Sequence, residues 1–324
     1  MNKVIDFCRR NLAWVLLAFI LVVFGLTTNN FFTVANILNI LNQNAYLIIC
    51  TYGIALIMMS GGLDMSVGYQ MSICGVLAAI MLTSLHLPTA VVVILTILIS
   101  IAFGALGTLL EQLLRLPRIF VSIGLSTVYQ GVAYVITNSK TISGLPDDFK
   151  AIGQGTFLHP SLTYATIIMI VGAFIMSFIM DRTYFGRYVF ALGGNESAAR
   201  LAGINVKRMK YAIGCIAGLF CGIGSVILTA RVGAAAAATA AGTEITILTG
   251  VLVGGVSVRG GDGKIANCIA GVLIMGLLAN GMQLAGLNTY YQYIAKGSIM
   301  LLVMWFDAFQ LKKRALANNK RKEK

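Results

Sequence analysis

Charge is what this chain has least of. Only 11% of its 324 residues are Asp, Glu, Lys or Arg, and just 11 are acidic. A soluble domain carries about a quarter charged residues, so an ordinary water-soluble protein is excluded. Histidine is nearly missing: His86 and His159 lie far apart near expected loop ends, and no metal site follows from them. The chain has no HExxH, no GxSxG and no GxxxxGK[ST]. Those absences remove the zinc peptidase, the nucleophile-elbow hydrolase and the P-loop ATPase. No nucleophile–base pair stands out either, and the expectation is a chain that is not an enzyme and has no cofactor of its own. Carboxylate clusters within apolar runs are also missing. A carrier driven by its own ion gradient usually keeps ionisable groups at membrane depth. Only Asp64, Glu244 and Lys296 are candidates here, so the energy source is expected elsewhere. The six cysteines (Cys8, Cys50, Cys74, Cys215, Cys221, Cys268) form no CxxC, and all but Cys8 sit in apolar runs. They read as free thiols packed like small apolar side chains.

What is present in quantity is hydrocarbon. Residues of the apolar and aromatic types make up 58% of the chain, and mean hydropathy is +0.86. Runs long enough to cross about 30 Å recur along its whole length. The fold expected is an all-α polytopic membrane protein, a single transmembrane domain over 1–324 with about ten transmembrane helices and a short cytoplasmic helix. The short alternating segments of an outer-membrane barrel do not occur. Span boundaries fall near 12–28, 45–60, 67–85, 89–110, 119–137, 161–180, 211–230, 243–257, 265–285 and 290–309. The first has a basic start, as a signal peptide does, but no convincing small-x-small cleavage site follows, so a retained span is expected.

Charge placement orients these spans. With the N-terminus inside, all but four of the 24 Lys and Arg face the cytoplasm, the exceptions being Lys140, Lys150, Arg231 and Lys296. This is the positive-inside rule in strong form. It puts both termini in the cytoplasm of an inner membrane, with 138–160 outside. The net charge of +13 belongs to span flanks that meet anionic lipid, as does the basic tail 310–324. No basic patch is interleaved with aromatics, so nucleic acid is not an expected partner. Trp14 and Trp305 fall near the inner interface, and Tyr290, Tyr291 and Tyr293 near the outer one.

The same count explains the stretch GGLDMSVG at 61–68. One uninterrupted helix over 45–85 would turn every later basic loop outward, so Gly61 and Gly62 mark a real break. Asp64 then lies near the inner ends of two spans. It can cap the next helix by accepting from the backbone N–H of Ser66 or Val67, or it can gate or touch a substrate hydroxyl. On the capping reading, Asp64→Asn keeps most stability, while Gly62→Leu destroys a turn that needs backbone freedom. Upstream, Asn36, Asn39, Asn42 and Gln43 recur at helical spacing just before the second span, lining an outer vestibule or facing water. Glu244 sits in a first helical turn near the outer surface if its helix starts after Gly242. If the helix starts at Ala234, Glu244 lies about 15 Å deep, where an unpaired charge is expensive. Lys296 is close enough to the outer face to snorkel, or it touches substrate.

The longest inside loop, 181–210, carries local helix signals. Asn195 can cap a short helix opening at Glu196, whose charge suits the positive end of the helix. Gly203 can end it in the left-handed conformation, and Asn205 can cap the next start. The result is a small helix on the cytoplasmic face, either a plain amphipathic connector or a docking element.

Taken together, GGLDMSVG, GRYVFALGGNESAARLAGINV, LVGGVSVRGGDGK and YYQYIAKGSIMLLV resemble the membrane permease subunits of ribose-type sugar ABC importers. The resemblance runs in order from about Phe31 to Asp307. It implies a permease that pairs with a second copy, two cytoplasmic subunits that bind ATP, and an extracytoplasmic sugar-binding protein. It also implies that the ATPase contacts Glu196, Ser197, Ala198 and Gly203, within a coupling segment that includes Asn195 and Arg200. The translocation path or gate is expected among Gly61, Gly62, Asp64, Ser66, Gly68, Asn36, Gln43, Glu244 and Lys296. This chain departs from the family where AAAAATAAGTEIT precedes the eighth span: Glu244 matches, but Thr246 replaces an acid. Gln130 replaces an arginine in the fifth span. Those changes bear on which sugar is carried. The alternative from another class is a ten-span ion-coupled secondary transporter of a small metabolite.

Overall fold

The computed structural model describes residues 12–28, 31–157 and 162–322, with side chains at 12, 306 and 310–322 outside the description. Lys3, Cys8, Arg9, Arg10, His159 and the tail's basic side chains therefore lie outside the described residues, and with them the lipid-facing role of the tail. Among the described residues the regular structure is all helix, joined by turns and loops, with two isolated bridges besides. In hydrocarbon each backbone N–H and C=O must be satisfied within its own segment, and a helix does this for nearly all of them.

Thirteen helices are described: α1 (Leu12–Thr27), α2 (Val34–Met59), α3 (Val67–Thr83), α4 (Thr89–Leu114), α5 (Arg118–Thr137), α6 (Asp147–Gln154), α7 (Tyr164–Arg182), α8 (Tyr184–Gly194), α9 (Glu196–Leu201), α10 (Val206–Val232), α11 (Thr243–Val253), α12 (Ile265–Leu284) and α13 (Thr289–Lys322). Six of them, α2, α4, α5, α7, α10 and α12, are long and apolar enough to cross a membrane, while α1, α3 and α11 are shorter apolar helices. The polar series at 36–43 belongs inside α2 and not before the span, because Thr33 accepts from the Asn36 amide and starts the helix there.

α2, α10 and α12 are largely buried, whereas α4, α5 and α7 turn most of their surface outward. Their outward faces are apolar, with Ile94, Phe120, Phe174 and Phe178 exposed, as expected where lipid is the solvent. Small residues bring α4 against α10. A Cβ at Gly104 would stand 2.2 Å from the Gly214 carbonyl, so the two backbones touch directly. Ser100 Oγ donates to the Gly218 carbonyl at 2.7 Å across the same seam.

Two ends of the bundle can be told apart. At one, Ile142 and Ala235 bridge, and Gln154 Nε2 donates to the Arg231 carbonyl at 3.0 Å. At the other, the Gly261 amide donates to the Met59 carbonyl at 2.9 Å. Trp14 Nε1 donates to Asn267 Oδ1 at 3.1 Å, and Ser257 Oγ to Asp307 at 3.1 Å. The start of α1, position 307 of α13 and the short helix α9 thus share the end that carries the break after α2.

Candidate functional site

α9 forms from the local signals in its own sequence. Asn195 Oδ1 accepts from the Ala198 amide at 3.0 Å, Gly203 stops the helix at φ 86°, and Asn205 Oδ1 accepts from the Arg208 amide at 3.0 Å to open α10. Ala199 is the anchor, packed against Leu192 and Val206. Around it Ser197, Ala198, Arg200, Ala202 and Gly203 are exposed. Leu201 is 91% exposed, an apolar side chain held out on a six-residue helix. The sequence pattern did not single it out. Glu196 pairs with Arg200 at 3.1 Å and with Lys210 at 2.9 Å. The Lys210 ammonium hydrogen-bonded to it, with Arg200 alongside, holds the Glu196 carboxyl below the usual carboxylate range.

Beside α9 opens a cavity of about 1030 Å³, bounded by the break after α2, the α4–α5 turn and the start of α10. Five basic side chains line it, Arg115, Arg118, Arg200, Lys207 and Lys210, against two acids, Glu111 and Glu196.

The break itself is a helix C-terminus followed by a charge lock. The Gly61 amide donates to the Met58 carbonyl and the Gly62 amide to the Ile57 carbonyl, both at 2.9 Å. Those are the paired bonds of a Schellman end. The positive φ lies at Gly61, 89°, so the need for backbone freedom expected of Gly62 belongs to its neighbour. A Cβ at Gly62 would instead press on Ile57 at 3.0 Å. Asp64 Oδ1 accepts from the Ser66 amide at 2.8 Å and the Ser66 hydroxyl at 2.6 Å, the first of the two bonds expected, but Ser66 itself is the N-cap of α3, so Asp64 closes a turn ahead of the helix rather than capping it. Its other oxygen accepts from Arg118 Nε at 3.0 Å and from a terminal guanidinium nitrogen at 2.7 Å. Both residues are buried. Arg118, taken from the sequence as a loop charge, is thus the partner of Asp64, and Asp64→Asn is no longer a mild change. It leaves a buried guanidinium short of a counter-charge.

Glu244 stands in the first turn of α11, whose start follows Gly242 as one of the two readings required. α11 is 11 residues long, a rise of roughly 16 Å, and the loop after it bonds to Met59 at the break end. Glu244 therefore stands roughly 15 Å of helix away from the break end. One of its oxygens accepts from the Gly242 amide at 3.2 Å, and the other is buried with no hydrogen-bond partner among the described residues. It presses on Gly68, where a Cβ would stand 2.0 Å from it. Ser72 Oγ accepts from the Ala240 amide at 3.0 Å and ties the alanine-rich segment to α3.

Asn36 and Gln43 belong to neither place. Asn36 and Asn280 exchange amide hydrogen bonds at 3.1 Å, and the Gln43 carbonyl accepts from Arg231 at 2.9 Å. Asn36 ties the start of α2 to the end of α12, and Gln43, further along α2, meets the last turn of α10. Lys296 is half-buried on α13 and joins none of these clusters. The signal overlooked was Glu111, an acid inside the apolar run ILISIAFGALGTLLEQLL. Its carboxylate pairs with Lys210 at 3.0 Å and lies 3.7 Å from Arg118.

Among known proteins, residues 36–304 match the family described as the permease component of branched-chain amino acid transport systems. The chain is 30% identical to the galactose/methyl galactoside import permease of Haemophilus influenzae, over 97% of this chain and 98% of that one. It is 32% identical to the ribose import permease of Escherichia coli K12, over 86% and 87% of the two chains. An L-arabinose ABC transporter permease of Azospirillum brasilense is 30% identical, over 90% and 85%. No solved structure matches the chain.

Proposed function

The chain belongs to the permease-component family of branched-chain amino acid transport systems, and from that premise we propose that it is the membrane permease subunit of an ATP-binding-cassette importer carrying a monosaccharide. The family's description names amino acids, but the relatives that span nearly the whole chain are named for galactose, ribose and arabinose. Whole-chain similarity outweighs a family title, so the cargo class is sugar. The observation that carries the reading is α9: a capped, ion-paired helix that holds Leu201 and a patch of small residues outward beside a cationic cavity.

In this reading α9, with 195–203, is the coupling helix on which a separate cytoplasmic ATPase docks and supplies the ATP chemistry. The ten passes are the six long helices, the apolar helices α1, α3 and α11 with their non-helical extensions, and the first part of α13. Both termini face the cytoplasm of an inner membrane, with 138–160 outside. A sugar-binding protein delivers cargo there, and a second copy of the chain completes the pore. The unfinished carboxylate of Glu244, beside Gly68, accepts a hydroxyl of the passing sugar, and the break at Gly61, Gly62, Asp64 and Ser66 is the inner gate. Asn36, Gln43 and Lys296 flank the outer entrance. An ion-coupled carrier is disfavoured because Asp64 and Glu111 are both committed to cationic partners.

Reconstitution tests the reading. The permease with its ATPase in liposomes is expected to hydrolyse ATP faster when a sugar-loaded binding protein is added. Gly203→Trp is expected to abolish that stimulation while the chain purifies normally. Sugar accumulation by the chain alone under a proton or sodium gradient would sink the proposal.

A further inference from the structure

Six side chains of alternating sign run without a gap from the surface of α9 to the break after α2. Arg200 meets Glu196 at 3.1 Å, Glu196 meets Lys210 at 2.9 Å, and Lys210 meets Glu111 at 3.0 Å. Glu111 then stands 3.7 Å from Arg118, which holds Asp64 at 2.7 Å. The row passes from α9 to α10, across to α4, on to α5, and ends in the 60–66 segment. Three of its links join residues that no local signal brings together.

Exposure falls steadily along it. Side-chain accessibility is 42% at Glu196, 26% at Lys210, 16% at Glu111, 7% at Arg118 and 5% at Asp64. An ion pair strengthens as water is withdrawn, so the innermost pair, Arg118 with Asp64, resists separation more than the exposed pair at Arg200 and Glu196. The outermost contacts are soft enough to follow a docked partner, and the innermost is stiff enough to hold the chain. Between them, the 3.7 Å contact of Arg118 with Glu111 is the one slack joint, since Arg118 also leans on Thr108 Oγ1 at 2.9 Å.

We infer that this row is a mechanical link by which movement of α9 alters the hold of Arg118 on Asp64, and through it the break at 60–66. It rests on the proposed docking of an ATPase at α9 and adds the route by which docking reaches the membrane. Lys210 is its key positioning residue, because its ammonium alone joins the α9 carboxylate to the one on α4. A displacement of α9 drags Lys210, shifts Glu111, and changes the charge facing Arg118. The competing route is direct packing, where Gly193 at the end of α8 lies against the Met59 carbonyl. That route contains no charge and is indifferent to what stands at 210.

Lys210→Met and Lys210→Arg separate the two. In the purified chain alone, hydrogen exchange at the amides of Gly61, Gly62 and Met65 is the first readout. Lys210→Met is expected to raise it about fivefold or more, the size of a modest coupling between sites, with 142–154 unchanged, and Lys210→Arg is expected to stay near wild type. With the ATPase and loaded binding protein, Lys210→Met is expected to stay bound to the ATPase yet lose about tenfold of the stimulated-to-unstimulated hydrolysis ratio, which Lys210→Arg restores. The link is overturned if Lys210→Met exchanges like wild type at 60–66, if Lys210→Arg fails as Lys210→Met does, or if Lys210→Met simply loses the ATPase. A wild-type chain that never binds an ATPase fails the importer reading, while the exchange measurement still decides the link.

Discussion

Two carboxylates stand where the chain leaves its helices within the apolar bundle, and the fold treats them differently. At the break after α2, Asp64 has both oxygens occupied, one by the Ser66 amide and hydroxyl and the other by the Arg118 fork. In the first turn of α11, Glu244 has one oxygen on the Gly242 amide and the other buried without a partner among the described residues. A charge removed from water costs several kcal/mol unless it is paired. Asp64 is finished by its own chain, so its charge is invested in holding the break. Glu244 is left open, beside a glycine that offers no side chain. The first carboxylate is part of the fold's closure, and the second has capacity to spare for a donor from outside.

The largest expected effect lies on the finished side. Arg118→Met should cost about 3–5 kcal/mol by leaving Asp64 buried and unpaired. Asp64→Asn should approach that cost, since the Ser66 bonds survive but the guanidinium is stranded. Apparent melting temperature in detergent measures both, and the double variant Asp64→Asn/Arg118→Gln should recover part of the loss. If Asp64→Asn melts as wild type does, the two carboxylates are not different in kind.

A smaller loss is expected where the open carboxylate meets α3. Gly68→Ala places a methyl against Glu244 and 2.8 Å from the Ala240 carbonyl. The backbone atom cannot swing aside, so overpacking should cost about 1–3 kcal/mol. Thermal melting and sugar uptake should fall together. Full stability with Gly68→Ala would mean that α3 and α11 are not held in this contact.

Glu244→Gln sharpens the comparison further. The amide keeps an oxygen for the Gly242 bond and has no ion pair to lose, so melting should stay at wild type. Transport should drop about tenfold, equivalent to 1.4 kcal/mol, as expected when one hydrogen bond to a charged group is weakened. The effect should appear in half-saturating sugar concentration or maximal uptake rather than in yield. A melting loss as large as that of Asp64→Asn would mean that Glu244 is structural after all.

How much of this was legible beforehand follows from the range of each interaction. The ends of α9 were readable, because Asn195, Gly203 and Asn205 act on amides within a few residues of themselves, whereas the exposure of Leu201 was not. The start of α11 was readable from Gly242 for the same reason, but its distance from the break end was not. That distance depends on the loop after Val253 reaching Met59, a contact across most of the chain. The Asp64–Arg118 pair spans 54 positions, and Arg118 was hidden among basic residues whose number, not position, sets topology. Glu111 was the available clue: an acid in an apolar run needs a cation nearby. The two glycines of the break were found as a pair, yet only the backbone shows that φ 89° falls on Gly61 and the tight packing on Gly62.

The smallest effect belongs at the surface, and it tests whether burial alone accounts for the contrast between the two carboxylates. Arg200 and Glu196 form an i,i+4 pair whose side chains are 70% and 42% exposed. Water screens such a pair and its side chains lose rotamer freedom in forming it, so exposed pairs contribute about 0–1 kcal/mol. Arg200→Ala is therefore expected to leave melting nearly unchanged. Asn195→Ala removes the acceptor for the Ala198 amide and should cost about 1 kcal/mol, felt locally as fraying of a six-residue helix rather than as a lower global melting temperature. Amide exchange at 196–199 would register that fraying. If Arg200→Ala instead destabilises the chain as strongly as Arg118→Met, exposure is not what grades these charges. The distinction between a finished and an open carboxylate would then need another cause.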